Sequence, residues 1–298
     1  MQEFLSDIGS LLGEPLPRVY KFDFKHFGYK AEGEKIIEIR LSNKKIDTVP
    51  ESIGKLKGLK HLVLNRNNLH SLPPSVYHLP YLETLALINN RFTSLPEEMD
   101  SLANLKSLNI SGNPLAEFPP WLIHKTKLEE LYLAHLNLKQ IPLWLQHYRN
   151  LKVLALFNNE ITTLPDWISQ LTNLEILTLG GNKLIEVNPQ IGGLLQLQEL
   201  SLYGNEIQKL PDCFGQMKAL KELALMDNEL TELPASLGYC ENLEYLIAKG
   251  NKIARLPDSF LKLKKLKTFH LEGNSTQCTK DQETWISGLR LGGSLVKL

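Results

Sequence analysis

The feature that most constrains the fold is a 23-residue repeat that runs through most of the chain. Its shared pattern is L-x-x-L-x-L-x-x-N-x-L-x-x-L-P-x-x-I-x-x-L-x-x, and eleven copies cover residues 36–288 without insertion or deletion. Because a fixed period of about 20–50 residues is the signature of stacked repeats, the chain should grow by stacking and not by enlarging one core. The repeats begin at Ile36, Leu59, Leu82, Leu105, Leu128, Leu151, Leu174, Leu197, Leu220, Leu243 and Leu266.

Within each repeat, the spacing of the apolar residues changes along the chain. Leu62 and Leu64 flank a single residue, an alternation that is typical of a short strand with one buried face. The apolar residues that follow, Leu72, Val76 and Leu79, are spaced as on one side of a helical turn. The sequence therefore predicts an α/β fold. It is a curved, horseshoe-shaped solenoid with a parallel β-sheet on the concave face and short helices or helical turns on the convex face.

An asparagine occupies the ninth position in nine of the eleven repeats. A side-chain amide carries two donors and an acceptor, so stacked asparagines can bond the backbone groups freed where each strand turns away. We expect this ladder to be disturbed in the fifth repeat, where Leu136 replaces the asparagine and Asn137 follows. The nine ladder residues are Asn67, Asn90, Asn113, Asn159, Asn182, Asn205, Asn228, Asn251 and Asn274.

A proline follows the fourteenth residue in nine repeats, where its fixed φ suits the bend toward the convex side. The seventh repeat shifts this proline by one place and reads Val187-Asn188-Pro189. Such a break is either tolerated drift or a local distortion that shapes a site.

The two ends of the chain depart from the repeat and are predicted to be caps, because a bare end would expose the core. We assign the N-terminal cap to residues 1–35, the repeats to 36–279 and the C-terminal cap to 280–298. A helix in the first cap is predicted from Phe4, Leu5, Ile8, Leu11 and Leu12, and a strand from Tyr20, Phe22 and Phe24. One face of a helix in the second cap would carry Trp285, Ile286 and Leu289.

Composition argues against several classes of function. The chain has 33 basic and 33 acidic residues, so it exerts no long-range attraction on nucleic acid. Three widely spaced cysteines, Cys213, Cys240 and Cys278, form neither a disulfide framework nor a zinc motif, which favours a reducing, cytoplasmic compartment. The N-terminus lacks the features of a secretory signal, and no apolar run approaches a membrane span. We expect a monomer that contacts no membrane.

The sequence also lacks the motifs of common enzymes, including H-E-x-x-H, G-x-S-x-G, the dinucleotide fingerprint and the phosphate loop G-x-x-x-x-G-K-[ST]. We therefore expect no catalysis, no cofactor and no metal. His124 and His147 occupy equivalent positions in adjacent repeats, where they are either solvated surface residues or a metal pair. A basic run from Lys262 to Lys267 is either a solvated face or a phosphate site.

The 23-residue pattern resembles the Ras-associated leucine-rich-repeat scaffolds, the plant intracellular Ras-group repeat proteins and many bacterial leucine-rich-repeat proteins. The segment FGYKAEGEKIIEIRLSNKKI, residues 27–46, also resembles what precedes the repeats in prokaryotic members, some of which carry Roc and COR domains. The resemblance implies a scaffold in signal transduction that binds a folded protein on its concave face, with a Ras-like GTPase as the leading partner. The alternative is the recognition arm of a larger enzyme, such as a Roc-COR GTPase or an effector ubiquitin ligase.

The residues that the repeat does not dictate are the candidates for binding. On the predicted concave face the early repeats are mostly polar, whereas the later ones carry large apolar side chains, which suggest a binding patch. We expect Gly180 to leave a notch between the rings of Phe157 and Tyr203. The alternative is that these side chains cover one another and bind nothing. The candidate protein-binding residues are Tyr132, Phe157, Gly180, Tyr203, Met226, Tyr245 and Ile247.

On the predicted convex side, Trp121, Trp144 and Trp167 occupy one position in three consecutive repeats. Lys125 replaces the expected core leucine four residues after Trp121, so we expect the indole to cover the gap. The alternative is that the three indoles form a convex binding ridge.

Overall fold

The computed structural model describes residues 1–21 and 27–298. The chain divides into two compact units, Met1–Leu136 and Asn137–Leu298. The division falls in the fifth repeat, directly after the leucine that replaces the ladder asparagine. Both units are built from repeats of the predicted kind, in which a three-residue strand is followed by a turn and a short helical segment.

Within residues 1–21 and 27–136, the first unit has six strands in chain order. The first two strands pair antiparallel, and each later strand pairs in parallel with the one before it. The strands are β1 Gly28–Glu32, β2 Lys35–Arg40, β3 His61–Val63, β4 Thr84–Ala86, β5 Ser107–Asn109 and β6 Glu130–Tyr132. The helical segments are α1 Gln2–Leu12, α2 Pro74–Tyr77 and three 3₁₀ helices at Glu51–Lys55, Glu97–Ser101 and Pro120–His124.

The second unit contains seven strands, β7 to β13, in one parallel sheet that keeps the chain order. The strands are β7 Val153–Ala155, β8 Ile176–Thr178, β9 Glu199–Ser201, β10 Glu222–Ala224, β11 Tyr245–Ile247, β12 Thr268–His270 and β13 Leu295–Lys297. The helical segments are six 3₁₀ helices at Leu143–His147, Asp166–Gln170, Pro189–Gly193, Phe214–Gln216, Ala235–Tyr239 and Asp258–Lys262, followed by α3 Lys280–Leu291.

The repeat length explains why 3₁₀ helices dominate the side opposite the sheet. Few residues of each 23-residue repeat remain for that side, and a 3₁₀ helix closes a turn with fewer residues than an α-helix. The predicted proline lies directly before most of these helices, as Pro165 does with φ −73° and ψ 153°. The seventh repeat uses a different cap, because Asn188 accepts a hydrogen bond from the Gln190 amide at 2.9 Å.

In β3 to β11 the central residue of each strand is a buried leucine on the inner side of its sheet. In the second unit Leu177, Leu200 and Leu223 face one another on β8, β9 and β10, and all are buried. Burial of these stacked apolar side chains stabilises each unit. The flanking residues of each strand lie on the opposite side, which we call the sheet face.

The asparagine ladder has the predicted geometry. The Asn182 amide donates to the carbonyl oxygens of Leu156 and Leu179 at 3.0 and 2.8 Å, and its oxygen accepts from the Ile161 amide at 3.0 Å. Asn182 therefore satisfies backbone groups in its own repeat and in the preceding one. The same pattern recurs at Asn205 and Asn228.

The predicted disturbance of the ladder at Leu136 is confirmed in the first unit. In the preceding repeat, the Phe92 amide donates to the side-chain oxygen of Asn113 at 3.2 Å. Leu115 holds the equivalent position, where its amide would face the side chain of Leu136, which carries no acceptor. The Leu115 amide donates instead to the carbonyl oxygen of Asn113 at 2.9 Å. Leu136 itself is buried.

The terminal segments carry the elements that differ from the repeat. In α1, Phe4 and Ile8 are buried, whereas Leu11 is exposed. Of the strand expected from Tyr20, Phe22 and Phe24, the last two lie outside the described residues, and the first described strand begins at Gly28.

Helix α3 begins at a capping box formed by Thr279 and Gln282. Ile286 and Leu289 of this helix are buried. The Trp285 indole donates to the carbonyl oxygen of Leu263 at 3.2 Å, and its ring centre is 5.7 Å from that of Phe269. These contacts pack the helix against the last repeats.

Candidate functional site

Six of the seven candidate residues lie on the sheet face of the second unit. Tyr245 and Ile247 are the outer residues of β11, while Gly180, Tyr203 and Met226 each stand two places after β8, β9 and β10. Phe157 holds the same place after β7. Gly180 is buried, whereas the side chains of the other five are half-exposed and thus available to a partner without being fully solvated. The seventh candidate, Tyr132, belongs to the first unit.

The notch expected at Gly180 is not open, and this prediction is wrong. A Cβ atom at Gly180 would lie 2.1 Å from Cε1 of Tyr203, so the tyrosine ring lies directly on the glycine backbone. The ring gains contact area by leaning over the one neighbour that has no side chain. Gly180 thus provides the surface on which the Tyr203 ring packs, and it does not form the floor of a binding site.

A hollow does exist on this face, between β9 and β11. Its volume is about 70 Å³, and its floor is formed by the small residues Ser201 and Ala224. Tyr245 and Ile247 of β11 line one side. The sequence analysis identified these last two residues but did not predict the hollow.

Two carboxylates complete the lining of the hollow. Glu199 and Glu222 are the first residues of β9 and β10 and are direct register partners. Burial raises the pKa of Glu199, and the neighbouring charge of Glu222 raises it further. Among the residues that the structure describes, neither carboxylate has a hydrogen-bond donor or an ion-pair partner. The signal that could have found them is two successive repeats with glutamate at the third position.

Comparison with known proteins identifies the repeat. A family model described as leucine-rich repeat matches residues 57–115, 126–184 and 218–275, and a second leucine-rich-repeat model matches residues 196–217. The chain belongs to the leucine-rich-repeat family. No curated protein sequence matches it.

Solved structures agree with this assignment. The chain is similar to a leucine-rich-repeat protein of Leptospira interrogans, with 30% identity over 88% of this chain and 72% of that one and a TM-score of 0.76. It is also similar to an internalin, InlF, of Listeria monocytogenes, with 21% identity over 87% and 79% of the two chains and a TM-score of 0.72. The plant peptide hormone receptor RGFR1 in complex with RGF2 shares 23% identity over 88% and 55%, with a TM-score of 0.56.

In the first unit of this leucine-rich-repeat protein, Tyr132 is held by its own neighbours. Its hydroxyl donates to the Glu130 carboxylate at 3.3 Å, and the Ser107 hydroxyl donates to the same carboxylate at 2.8 Å. Burial, followed by the Glu130 charge, raises the pKa of Tyr132 to about 12. The tyrosine is therefore a neutral donor that is already engaged within its unit.

The tryptophan at the helical side of the first unit is a packing residue. Trp121 is only 3% exposed, as expected for a structural role. The expected gap beside it is absent, because Lys125 occupies the core position with its own alkyl stem. The Lys125 ammonium donates to the carbonyl oxygens of Asp100 and Leu102 and pairs with the Asp100 carboxylate at 3.2 Å. In the second unit, Trp144 and Trp167 are half-exposed.

A second concavity of about 620 Å³ lies on the flank of the second unit, where the chain passes from the strands to the 3₁₀ helices. Asn188 of the shifted seventh repeat lines it, together with Leu210 and Leu233. Three of its four charged residues are engaged, since Lys209 pairs with Glu232 at 3.2 Å and Asp212 accepts from the Ser236 amide at 2.7 Å. The hollow on the sheet face, with two carboxylates that lack a partner, therefore has more unpaired charge than this groove.

The remaining sequence features show no sign of a site. No group of metal-ligating residues occurs within the described ranges, and His124 and His147 are exposed residues of different units. In the basic run, Lys262 lies 4.1 Å from the ring centre of Tyr239, and Lys265 donates to Asn242 at 2.7 Å. None of the helices in residues 1–21 and 27–298 has the length and apolar character needed to cross a bilayer.

Proposed function

We propose that this leucine-rich-repeat protein is an interaction module that binds a partner protein through the sheet face of its second unit. The observation that carries the proposal is the combination of half-exposed apolar side chains with a hollow whose polar groups have no partners. Leucine-rich-repeat proteins are generally interaction modules, and the plant peptide hormone receptor RGFR1, which is similar to this chain, forms a complex with RGF2. The chain has no catalytic motif, so we propose binding without chemistry.

The apolar part of the proposed surface consists of Tyr203, Met226, Tyr245 and Ile247. Aromatic residues and methionine are enriched in protein interfaces, and rigid rings beside a depression make suitable anchors. Removal of one such anchor typically weakens binding by about 2 kcal/mol or more. A face of this composition supports recognition of a protein more than recognition of nucleic acid.

Two finer assignments rest on sequence resemblance. We propose a Ras-like GTPase as the partner class and a cytoplasmic role in signal transduction, with the chain acting as a monomer. The alternative assignment is the recognition arm of a Roc-COR GTPase or an effector ubiquitin ligase. Binding assays against Ras-like GTPases loaded with GDP or a non-hydrolysable GTP analogue would test the first assignment. Sequence adjoining this chain in its gene would test the second.

The experiment that tests the surface compares variants at one position of the repeat. Tyr203 and Met226 on the second unit correspond to Ile88 on the first, and all three are half-exposed. For a partner captured from the native lysate and then purified, Tyr203→Ala and Met226→Ala should each weaken binding, whereas Ile88→Ala should not. Equal affinities for all three variants, with unchanged thermal stability, would move the interface away from this face.

A further inference from the structure

We infer that the hollow between β9 and β11 receives a basic side chain of the partner protein, arginine in preference to lysine. The inference deepens the proposed function and rests on it, because it names the chemistry that the sheet face recognises. Five residues do the recognition: Glu199 and Glu222 supply negative charge, Ser201 supplies a hydroxyl, and Tyr245 and Ile247 supply apolar walls.

The size of the hollow selects the kind of ligand. Pockets for small molecules have volumes of about 300–1,000 Å³. A hollow of about 70 Å³ that opens onto a sheet has room for the head of one side chain. The occupant should therefore arrive as part of a larger molecule that also covers the surrounding apolar residues.

The two carboxylates of the hollow lack the basic partner that several other carboxylates of the described residues have. Several acidic side chains pair with a basic one in the adjacent repeat, as Glu160 does with Lys183 at 2.9 Å and Glu241 with Lys218 at 3.0 Å. Glu199 instead faces Glu222 across paired strands, an arrangement that destabilises a sheet. A cation placed between the two carboxylates would relieve that repulsion.

An independent observation comes from the floor of the hollow. Ser201 is only 8% exposed, and its hydroxyl has no hydrogen-bond partner in the described part of the chain. Because Ser201 lines the hollow, its unbonded hydroxyl can accept a hydrogen bond from a donor that enters from outside.

The aromatic wall favours arginine. A guanidinium is planar, presents five donors and stacks on aromatic faces, whereas an ammonium is a compact, strongly hydrated charge. One guanidinium can bond a carboxylate and a hydroxyl while its plane lies against Tyr245. The nearby Lys267 does not take this place, because it pairs with Glu244 and its nitrogen is 6.0 Å from the Tyr245 ring centre.

The test uses the full chain and defined probes. N-acetyl-arginine N-methylamide is titrated into isotope-labelled protein, and the amide signals of Ser201, Ala224 and Ile247 are followed. The citrulline analogue is the control, since it has the shape of arginine without the charge. We expect saturable shifts with the arginine probe, weaker ones with the lysine probe and none with the citrulline probe. Equal responses to the arginine and citrulline probes, or no response at the hollow, would overturn the inference.

Variants sharpen the same test. Glu199→Gln combined with Glu222→Gln should weaken the arginine probe by at least about tenfold, the loss expected for charge-assisted hydrogen bonds. Glu130→Gln, at the same position of a repeat in the first unit, should leave the affinity unchanged. An unaltered affinity in the double variant would contradict the inference.

The partner protein separates failure of this inference from failure of the proposed function. If Ile247→Ala weakens partner binding but the double glutamine variant does not, the sheet face binds a partner and the basic side chain is excluded. If neither variant changes partner binding, the proposed surface itself is wrong. If both weaken it, and replacement of one partner arginine has the same effect, the inference is supported.

Discussion

Glu130 in the first unit and Glu199 in the second hold the same position of the repeat, yet their surroundings differ. The Glu130 carboxylate accepts hydrogen bonds from Ser107 and Tyr132, so its charge is used within the unit. The Glu199 carboxylate faces a second carboxylate, and burial raises its pKa. The repeat determines the position of a side chain. The residues one repeat away determine whether its polar groups are already hydrogen-bonded or remain free to bind a partner.

The same contrast applies to tryptophan and gives the largest expected effect on stability. Trp121 in the first unit is buried, whereas Trp167 at the equivalent position in the second unit is half-exposed. Trp121→Ala should lower the free energy of unfolding by about 3 kcal/mol because it leaves a cavity. Trp167→Ala should cost about 1 kcal/mol. Equal losses in urea denaturation would show that the two indoles do not differ in packing.

The asparagine ladder allows a comparison within the second unit. Asn182 is buried in the middle of its ladder, while Asn274 at the end is half-exposed. Asn182→Ala should cost roughly 1–3 kcal/mol by leaving buried backbone groups unpaired. Asn274→Ala should cost less, because water can reach the groups that it bonds. Thermal melts that rank the two variants in the opposite order would contradict this account of the ladder.

Partner binding should distinguish the two sheet faces. Val63 on β3 and Ile247 on β11 occupy the same place in their strands, and both are β-branched and half-exposed. Ile247→Ala should weaken binding of the partner by about 2 kcal/mol, and Val63→Ala should have little effect. Titration calorimetry measures both, and a larger loss for Val63→Ala would place the interface on the first unit.

The smallest expected effect concerns the carboxylate pair. Glu199→Gln should raise the free energy of unfolding at neutral pH by about 0.2–1 kcal/mol, because it removes like-charge repulsion across the strands. Glu130→Gln should lower that energy, because it weakens accepted hydrogen bonds.

The pH dependence of the Glu199→Gln gain follows from the direction of the shift in pKa. A carboxyl whose pKa is raised by folding binds its proton more tightly in the folded chain than in the unfolded chain. The free energy of unfolding therefore falls as the pH rises through that pKa. The advantage of the glutamine variant should therefore be present at neutral pH and disappear on acidification. Melting curves that show a growing advantage at low pH would contradict the assignment.

The repeat, its strands and the asparagine ladder could be predicted from the sequence because each depends on local periodicity. The replacement at Leu136 could be interpreted for the same reason, since it removes an acceptor from a fixed position. The ring of Tyr203 over Gly180 could not be predicted, because the direction in which an outer side chain leans depends on contact between adjacent strands. Lys125 likewise reaches carbonyl groups one repeat away.

The carboxylate pair shows most clearly why the candidate site was only partly predicted. Periodicity assigns Glu199 and Glu222 to one face, and the register then makes them direct neighbours. Whether a basic residue neutralises them depends on side-chain positions across several strands. Tyr245 and Ile247 could be identified from the sequence because large apolar residues on an outer face stand out without that knowledge.

The central claim is that a partner protein occupies the hollow of the second unit, and a matched pair of alanines tests it most directly. Ala224 forms the floor of the hollow, and Ala86 holds the same strand position in the first unit. The measurement is the dissociation constant of the partner complex for Ala224→Trp and for Ala86→Trp. We predict that filling the hollow with Ala224→Trp weakens binding at least about tenfold, the equivalent of about 1.4 kcal/mol, while Ala86→Trp leaves it unchanged. Unchanged binding by Ala224→Trp, in a variant that melts like the parent chain, would contradict the claim.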